Sequence, residues 1–265
     1  MQRSATEEMR LFDTHVHFPV GPEEKQALVE RALAAGVDRM IAVGGSPEAN
    51  QSAVEIARKY PAHVRAAVGI NRDQAETDWP AAELTALLAA PEIAAIGEIG
   101  LDFHREQQTR NAQLELFERM LAVASDQRLP VIVHSRAAEA ETMALLEQHI
   151  RNWTGPKDRI GVQHCFTGSR AYAERLLALG FFISFSGIIT FKNAADLREI
   201  AASIPEDRLL IETDSPWLTP EPFRGQPNEP AHVRRVAETL AEVRHCSLAE
   251  IAAVTFRNAE RLFGK

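Results

Sequence analysis

Histidines and carboxylates interrupt otherwise apolar stretches of this sequence. His15 and His17 follow Asp13 in LFDTHVHF, Glu98 lies in IAAIGEIGLD, His134 in PVIVHS, His164 in IGVQHCF and Asp214 in LLIETDSP. Neutral imidazole nitrogen and carboxylate oxygen are donors suited to Zn²⁺, Mn²⁺ and related divalent ions, with no thiolate required. The donors His15, His17, Glu98, His134, His164 and Asp214 exceed the need of one tetrahedral ion, so the set points to two divalent cations (Mg²⁺, Mn²⁺ or Zn²⁺) sharing a bridging anion. A carbamylated lysine can bridge such pairs, but no lysine lies between Lys59 and Lys157, which leaves Glu98. A divalent ion lowers the pKa of bound water to about 7, giving hydroxide at neutral pH. Asp214 is expected to hold one cation while orienting or deprotonating that water. His15 and His17 would complete one shell, and His134 and His164 the other. Arg136 either offsets charge developing on phosphoryl oxygens or pairs locally at a helix start.

The elements that must gather these donors are legible as eight β-rich runs, at 11–18, 39–45, 64–71, 93–102, 130–135, 160–166, 181–189 and 209–216. Most are continuously apolar, as strands buried on both faces of a parallel sheet are. Ala/Leu/Glu/Arg-rich helical segments lie between them; in 105–128, Leu114, Phe117, Met120 and Leu121 recur at three- and four-residue steps. Gly36 and Gly180 follow helices, and Pro61 and Pro130 precede strands. Eight strand–helix alternations imply a closed α/β structure: a single (β/α)₈ TIM barrel with an additional C-terminal helix, spanning residues 1–265 as one domain. Active sites of such barrels lie at the C-terminal ends of the strands, where every donor above falls. Residues two apart on a strand share a face, so His15 and His17 are expected to face the interior together. The Pro-rich stretch 216–230 reads as a long loop over the mouth.

Composition narrows the function. The 265 residues carry 37 acidic and 29 basic side chains, a formal charge of −8. That argues against coating duplex DNA through a broad basic face but not against a nuclease whose phosphate affinity comes from bound metal. Two cysteines, Cys165 and Cys246, build no disulfide framework and suggest a reducing compartment. No apolar run approaches a membrane span and no signal peptide is visible, so a cytoplasmic protein is expected. HExxH, GxSxG and GxxxxGK[ST] signatures are absent. Five of the nine histidines read as structural or peripheral: His63 at a strand entrance, His149, His232 and His245 on helices, and His104 beyond its strand. Asp13 reads as a partner orienting a ligand histidine, Glu212 equally as that or as a structural carboxylate, and Cys165 as packing.

Seven segments in order, DTHVH (13–17), GEIGLDF (97–103), HSR (134–136), HCFTGS (164–169), ETDSPWL (212–218), RGQPNEP (224–230) and RNAERLF (257–263), resemble the TatD family of metal-dependent hydrolases over essentially the whole chain. The resemblance implies ligand roles for the same six donors, and phosphoester hydrolysis, typically of DNA from a 3′ end. The chain departs from the family pattern in Phe18-Pro19 after HxH and in His104 after GLDF. Both fall at the rim and bear on substrate range.

The expected partner is therefore nucleic acid, as DNA ends, RNA or small phosphodiesters, with no membrane partner. Arg136, His104, Trp217 and Arg224 are candidate substrate contacts. Phe103, Phe166, Phe191 and Trp217 are placed to stack on an unpaired base, or belong to the core. Arg224, Arg234 and Arg235 form either a phosphate-binding cluster or a solvated face. Two alternatives stand beside the 3′-5′ exodeoxyribonuclease. One is a carboxylic-ester or amide hydrolase such as a D-aminoacyl-tRNA deacylase, since metal hydroxide attacks carbonyl and phosphoryl centres alike. The other is a non-catalytic binding barrel.

Overall fold

Residues 9–19, 21–79, 81–104 and 107–264 are described by a computed structural model. Strand and helix alternate from β1 (Leu11–Val16) through α1 (Pro22–Ala34), β2 (Val37–Gly45), α2 (Pro47–Lys59), β3 (Val64–Ile70), α3 (Ala81–Leu88), β4 (Ile93–Asp102) and α4 (Arg110–Gln127). The order continues with β5 (Val131–Arg136), α5 (Glu139–Asn152), β6 (Gly161–Gln163), α6 (Arg170–Ala178), β7 (Phe182–Phe185), α7 (Ala195–Ser203) and β8 (Leu209–Ile211). It closes with α8 (Val233–Val243) and α9 (Leu248–Phe263). All seven ladders are parallel and join neighbours in chain order. The ring is completed just beyond β8, where Val16 bridges Ser215, Asp214 N donates to His15 O (3.0 Å) and His17 N to Ser215 O (2.9 Å). The closing seam thus runs through three of the candidate donors. The eight-stranded TIM barrel and its extra C-terminal helix match the sequence expectation.

Helix boundaries follow local chemistry. Pro47 opens α2 behind Ser46, whose side chain accepts from Ala49 N. Ser247 and Glu250 form a reciprocal capping box on α9. On α4, Leu116, Phe117, Met120, Leu121 and Ala124 are buried against the sheet, while Leu114 is only partly covered. Helix α9 plugs the N-terminal end of the barrel. Its Phe256 and Phe263 pack on Phe12, with Phe182 and Leu210 in the same cluster. Asn258 donates to Leu209 O (2.9 Å), and Arg65 and Arg159 donate to the last carbonyls of α9. With that end sealed by apolar side chains, the opposite end is left as the polar mouth.

The last three strands are shorter than the apolar runs suggest. The run 160–166 contributes only Gly161–Gln163, 181–189 only Phe182–Phe185, and 209–216 only Leu209–Ile211. The chain leaves the ladders where side chains must converge: Cys165 and Asp214 adopt φ of 44° and 57°, outside any strand conformation. His164 therefore stands one residue past β6, Asp214 three residues past β8, and His17 one residue past β1. Among the described residues, no helix is long and apolar enough to cross a membrane.

Candidate metal centre

Two irregularities aim the donors. Phe12 packs in the inner cluster with Ile132, Val162, Phe182 and Leu210, so strict alternation on β1 would send His15 outward. The β1–β2 register shifts between Asp13 and Val16, which turns His15 and His17 into the mouth. A second shift, between Ile96 and Ile99 in the β4–β5 ladder, contains Glu98. Bulges of this kind re-aim side chains beside active sites. His134 and His164 need no such device, because they follow inward-facing Ile132 and Val162 by two residues. Gly100 makes room for His134: its φ is 135°, and a Cβ there would lie 2.0 Å from His134 O.

The six donors meet in one place. His15 Nε2 and His17 Nε2 are 2.9 Å apart, and each lies 3.7 Å from Asp214 Oδ1. Glu98 stands between this group and the remaining histidines. Its Oε2 is 3.8 Å from His15 Nε2 and 3.6 Å from His17 Nε2. Its Oε1 is 3.3 Å from His134 Nδ1 and 3.6 Å from His164 Nε2. His15 and His164 stack at 4.0 Å with nearly parallel rings. His15–His17–Asp214 and Glu98–His134–His164 are each compact enough to hold an ion, as is a third group, His15–His164–Glu212.

Electrostatics suit the donor set to cations. Burial holds His15, His17 and His134 below the ordinary histidine value, so they present neutral lone pairs. Burial also pushes the Asp214 carboxyl well up, with Glu212 and Glu98 adding to the effect. Burial works against Glu98 ionisation too, but Arg72, His164 and His134 hold Glu98 well below the usual carboxylate range. His164 is the exception among the imidazoles. Burial works against its proton, yet hydrogen bonds to Glu212 and Glu98 raise it to about 10. Three neutral imidazoles facing crowded carboxylates, with one proton lodged among them, is a donor set that fits divalent cations.

The supporting residues are distinct. Glu212 Oε1 accepts from Cys165 N (2.6 Å) and from His164 Nδ1 (3.2 Å), which fixes that ring with Nε2 toward Glu98. Among the described residues, Glu212 Oε2 and His15 Nδ1 are buried without a hydrogen-bond partner. Among the described residues, no imidazole nitrogen is hydrogen-bonded to the Asp13 carboxyl. Asp13 accepts from Thr213 N, Thr213 Oγ1 and His15 N, locking the barrel seam, and burial pushes its carboxyl up to about 8. Cys165 Sγ lies 3.2 Å from Ser186 Oγ, and burial raises the thiol far above a nucleophile's range, as its reading as packing requires.

Two charged residues escaped the sequence reading. Arg72, just past β3, places Nη1 2.5 Å from Glu98 Oε1 and Nε 3.8 Å from Asp102 Oδ2. Asp102, at the end of β4, lies 3.4 Å from His134 Nε2. Burial opposes its ionisation, but His134, His104 N–H and Arg72 lower it to about 2. Both carried a signal. Asp102 has the same parity as Glu98 on one strand, and Arg72 follows a strand end that had been passed over.

The rim differs from expectation in part. Trp217 is 57% exposed, edge-on to His17 at 5.0 Å. Phe103 and Phe166 are buried and belong to the core, and Phe191 lies under the Arg224 guanidinium, so three of the four proposed stacking rings are committed to packing. Arg224 also donates to Thr219 O (2.9 Å), which makes it a brace of the 216–230 loop. Asn228 pins that loop over the mouth, donating to Thr213 O and Trp217 O. Arg136, the last residue of β5, and His104, two residues past β4, are exposed, with His104 N donating to Asp102 Oδ1 (3.0 Å). Arg234 and Arg235 both pair with the one carboxylate of Glu238 on α8. His232 and His245 lie outside regular helix. His232 sits in a 3₁₀ turn, stacked on Phe223 at 4.5 Å, and His245 just past α8. A cavity of about 660 Å³ opens beside His17, walled by Phe18, Pro19, Leu28, Trp217 and His232.

Comparison with known proteins gives consistent relatives. A family model for TatD-related DNases matches residues 12–264. An uncharacterized metal-dependent hydrolase of Bacillus subtilis, YabD, is 39% identical over 257 residues, covering 96% of this chain and 98% of that protein. A 3′-5′ ssDNA/RNA exonuclease TatD of Erwinia tasmaniensis is 36% identical over 249 residues, covering 91% and 94%. The crystal structure of YJJV, a TatD homologue from Escherichia coli K12, superposes with a TM-score of 0.86 at 32% identity, covering 97% of this chain and 99% of that one.

Proposed function

The chain belongs to the TatD family of metal-dependent hydrolases, and from that premise we propose that it hydrolyses phosphodiester bonds at the free 3′ ends of single-stranded nucleic acid, DNA foremost. Two divalent cations, Mg²⁺, Mn²⁺ or Zn²⁺, would be held by His15, His17, Glu98, His134, His164 and Asp214. The observation that carries this reading is the division of donors between the two oxygens of Glu98, Oε2 toward His15 and His17, Oε1 toward His134 and His164. Bound there, the cations supply Lewis acidity to the phosphoryl oxygens and a water acidic enough to react at neutral pH.

The chain's own groups do the rest. Asp214, 3.7 Å from both His15 and His17, is the carboxylate placed to accept the proton of the attacking water. Glu212 keeps the His164 ring oriented, and Asp102 does the same for His134. Trp217 offers an exposed ring beside His17 on which the terminal base stacks, and the neighbouring cavity takes the nucleotide next to it. Arg136 and His104 line the rim for the phosphate that follows. A net charge of −8 favours a strand end over a wrapped duplex.

The carboxylic-ester reading, of the D-aminoacyl-tRNA deacylase kind, uses the same donors and is separated by substrate. A 3′-labelled single-stranded oligonucleotide and an aminoacyl ester, assayed side by side with Mg²⁺, Mn²⁺ and Zn²⁺, decide it. Release of the 3′ label with the terminal nucleotide, abolished by chelator and restored by one of the ions, is expected. Turnover of the ester alone would overturn the nuclease reading.

A further inference from the structure

The two halves of the donor cradle are not equivalent. His15, His17 and Asp214 face Glu98 Oε2, and no basic side chain pairs with that oxygen among the described residues beyond the histidines themselves. The half formed by His134 and His164 faces Oε1, and that oxygen already carries Arg72, with Nη1 at 2.5 Å. The Arg72 side chain is 18% exposed and reaches Asp102 with its Nε at 3.8 Å, so it lies inside the cradle and not at its rim. It is a fixed cation built against a carboxylate that a metal ion would share.

Resting on the two-cation reading above, we infer that Arg72 acts as a resident cation of the Glu98–His134–His164 half, so that this half binds its divalent ion more weakly than the His15–His17–Asp214 half. Two physical points support this. A guanidinium cannot lose its proton in a protein, so its repulsion of an incoming ion is permanent. Like charges at this separation in a buried site repel far more strongly than in water. The same arrangement sets a permanent counter-charge against both Glu98 and Asp102 in the ion-free protein. Arg72 thus lets the barrel fold and persist with one ion bound, and makes occupancy of the second position depend on ion concentration.

The test is titration of metal-stripped, full-length protein with Mn²⁺ by calorimetry, with bound ions counted by elemental analysis. The wild type should bind in two phases, the second at least about tenfold weaker. Arg72→Met, similar in length and uncharged, should tighten the second phase about tenfold or more and leave the first within threefold. Arg72→Lys, which keeps the charge, should retain the inequality. A second phase unchanged or weakened in Arg72→Met would overturn the inference, because Arg72 would then merely hold Glu98 in place. If stripped Arg72→Met does not fold, Mn²⁺-loaded wild type and variant are dialysed against falling Mn²⁺ and the ions retained are counted. The variant must then keep its second ion to an Mn²⁺ concentration about tenfold lower than the wild type does, and loss at the same concentration overturns the inference. Wild-type protein that binds no ion withdraws the cradle itself, whereas wild type that binds two with no effect of Arg72→Met withdraws only the role of Arg72.

Discussion

Asp214→Asn separates chemistry from architecture at the centre. Asp214 sits at φ of 57°, a left-handed conformation in which asparagine is among the best-tolerated side chains. Its backbone N–H bond to His15 O, which closes the barrel seam, does not involve the side chain. The amide also replaces a carboxyl whose ionisation burial and neighbouring carboxylates already oppose. The fold should therefore hold, with a melting temperature within about 3 °C of wild type, equivalent to under about 1 kcal/mol for a chain of this size. Asp214→Ala provides the contrast. Alanine in the left-handed region costs about 1–2 kcal/mol, or about 3–6 °C. Catalysis should respond differently: loss of a positioned base removes about 10²–10⁴ in rate, some 3–5 kcal/mol of barrier. Initial rates on a 3′-labelled oligonucleotide and on an activated phosphodiester, at saturating Mn²⁺ and with bound metal counted, read this directly. A rate within tenfold of wild type at full metal content would refute the base assignment. A melting temperature lowered by 10 °C or more would refute the claim that the side chain is dispensable to the seam.

Three further outcomes follow from particular contacts. Trp217→Ala, which removes the exposed ring beside His17, should raise KM for oligonucleotides about tenfold, as one lost stacking contact predicts. The rate on an activated small phosphodiester should stay within twofold, and equal effects on both would exclude stacking. Glu212→Gln, which removes the carboxylate that accepts from His164, should weaken metal binding by about 10–100-fold in calorimetry; unchanged affinity would make Glu212 purely structural. His149, buried on α5, is held down to about 4 by burial, against an ordinary value of 6.5. A buried base with a depressed pKa contributes stability that is full above 6.5 and is lost as pH falls toward 4, a gap worth about 3 kcal/mol. Urea unfolding at pH 7, 5 and 4 should show His149→Gln with a flatter profile than wild type. Parallel profiles would refute the assignment.

Much of this molecule is written locally. Apolar runs at strand length, helical spacing between them and breakers such as Gly36 and Pro130 specify alternation, because burial on both faces of a strand and one face of a helix is a property of neighbouring residues. The identity of the six donors, their fall at strand ends and the TatD motifs were legible for the same reason. What the sequence could not show depends on registry between distant segments. The bulge that turns His15 and His17 inward exists only because β1 shifts against β2, and the exit of β8 at Ile211 only because Asp214 must reach His15 across the seam. The burial of Phe103 and Phe166, and the pairing of Arg234 and Arg235 with Glu238, were equally invisible from composition. Arg72 is the sharpest case. A basic residue on a loop is ordinary in sequence, and its meaning comes from a carboxylate twenty-six positions away that only the closed barrel sets against it. Hydrophobic periodicity is encoded in adjacent residues, whereas the charge that faces a charge is settled by packing.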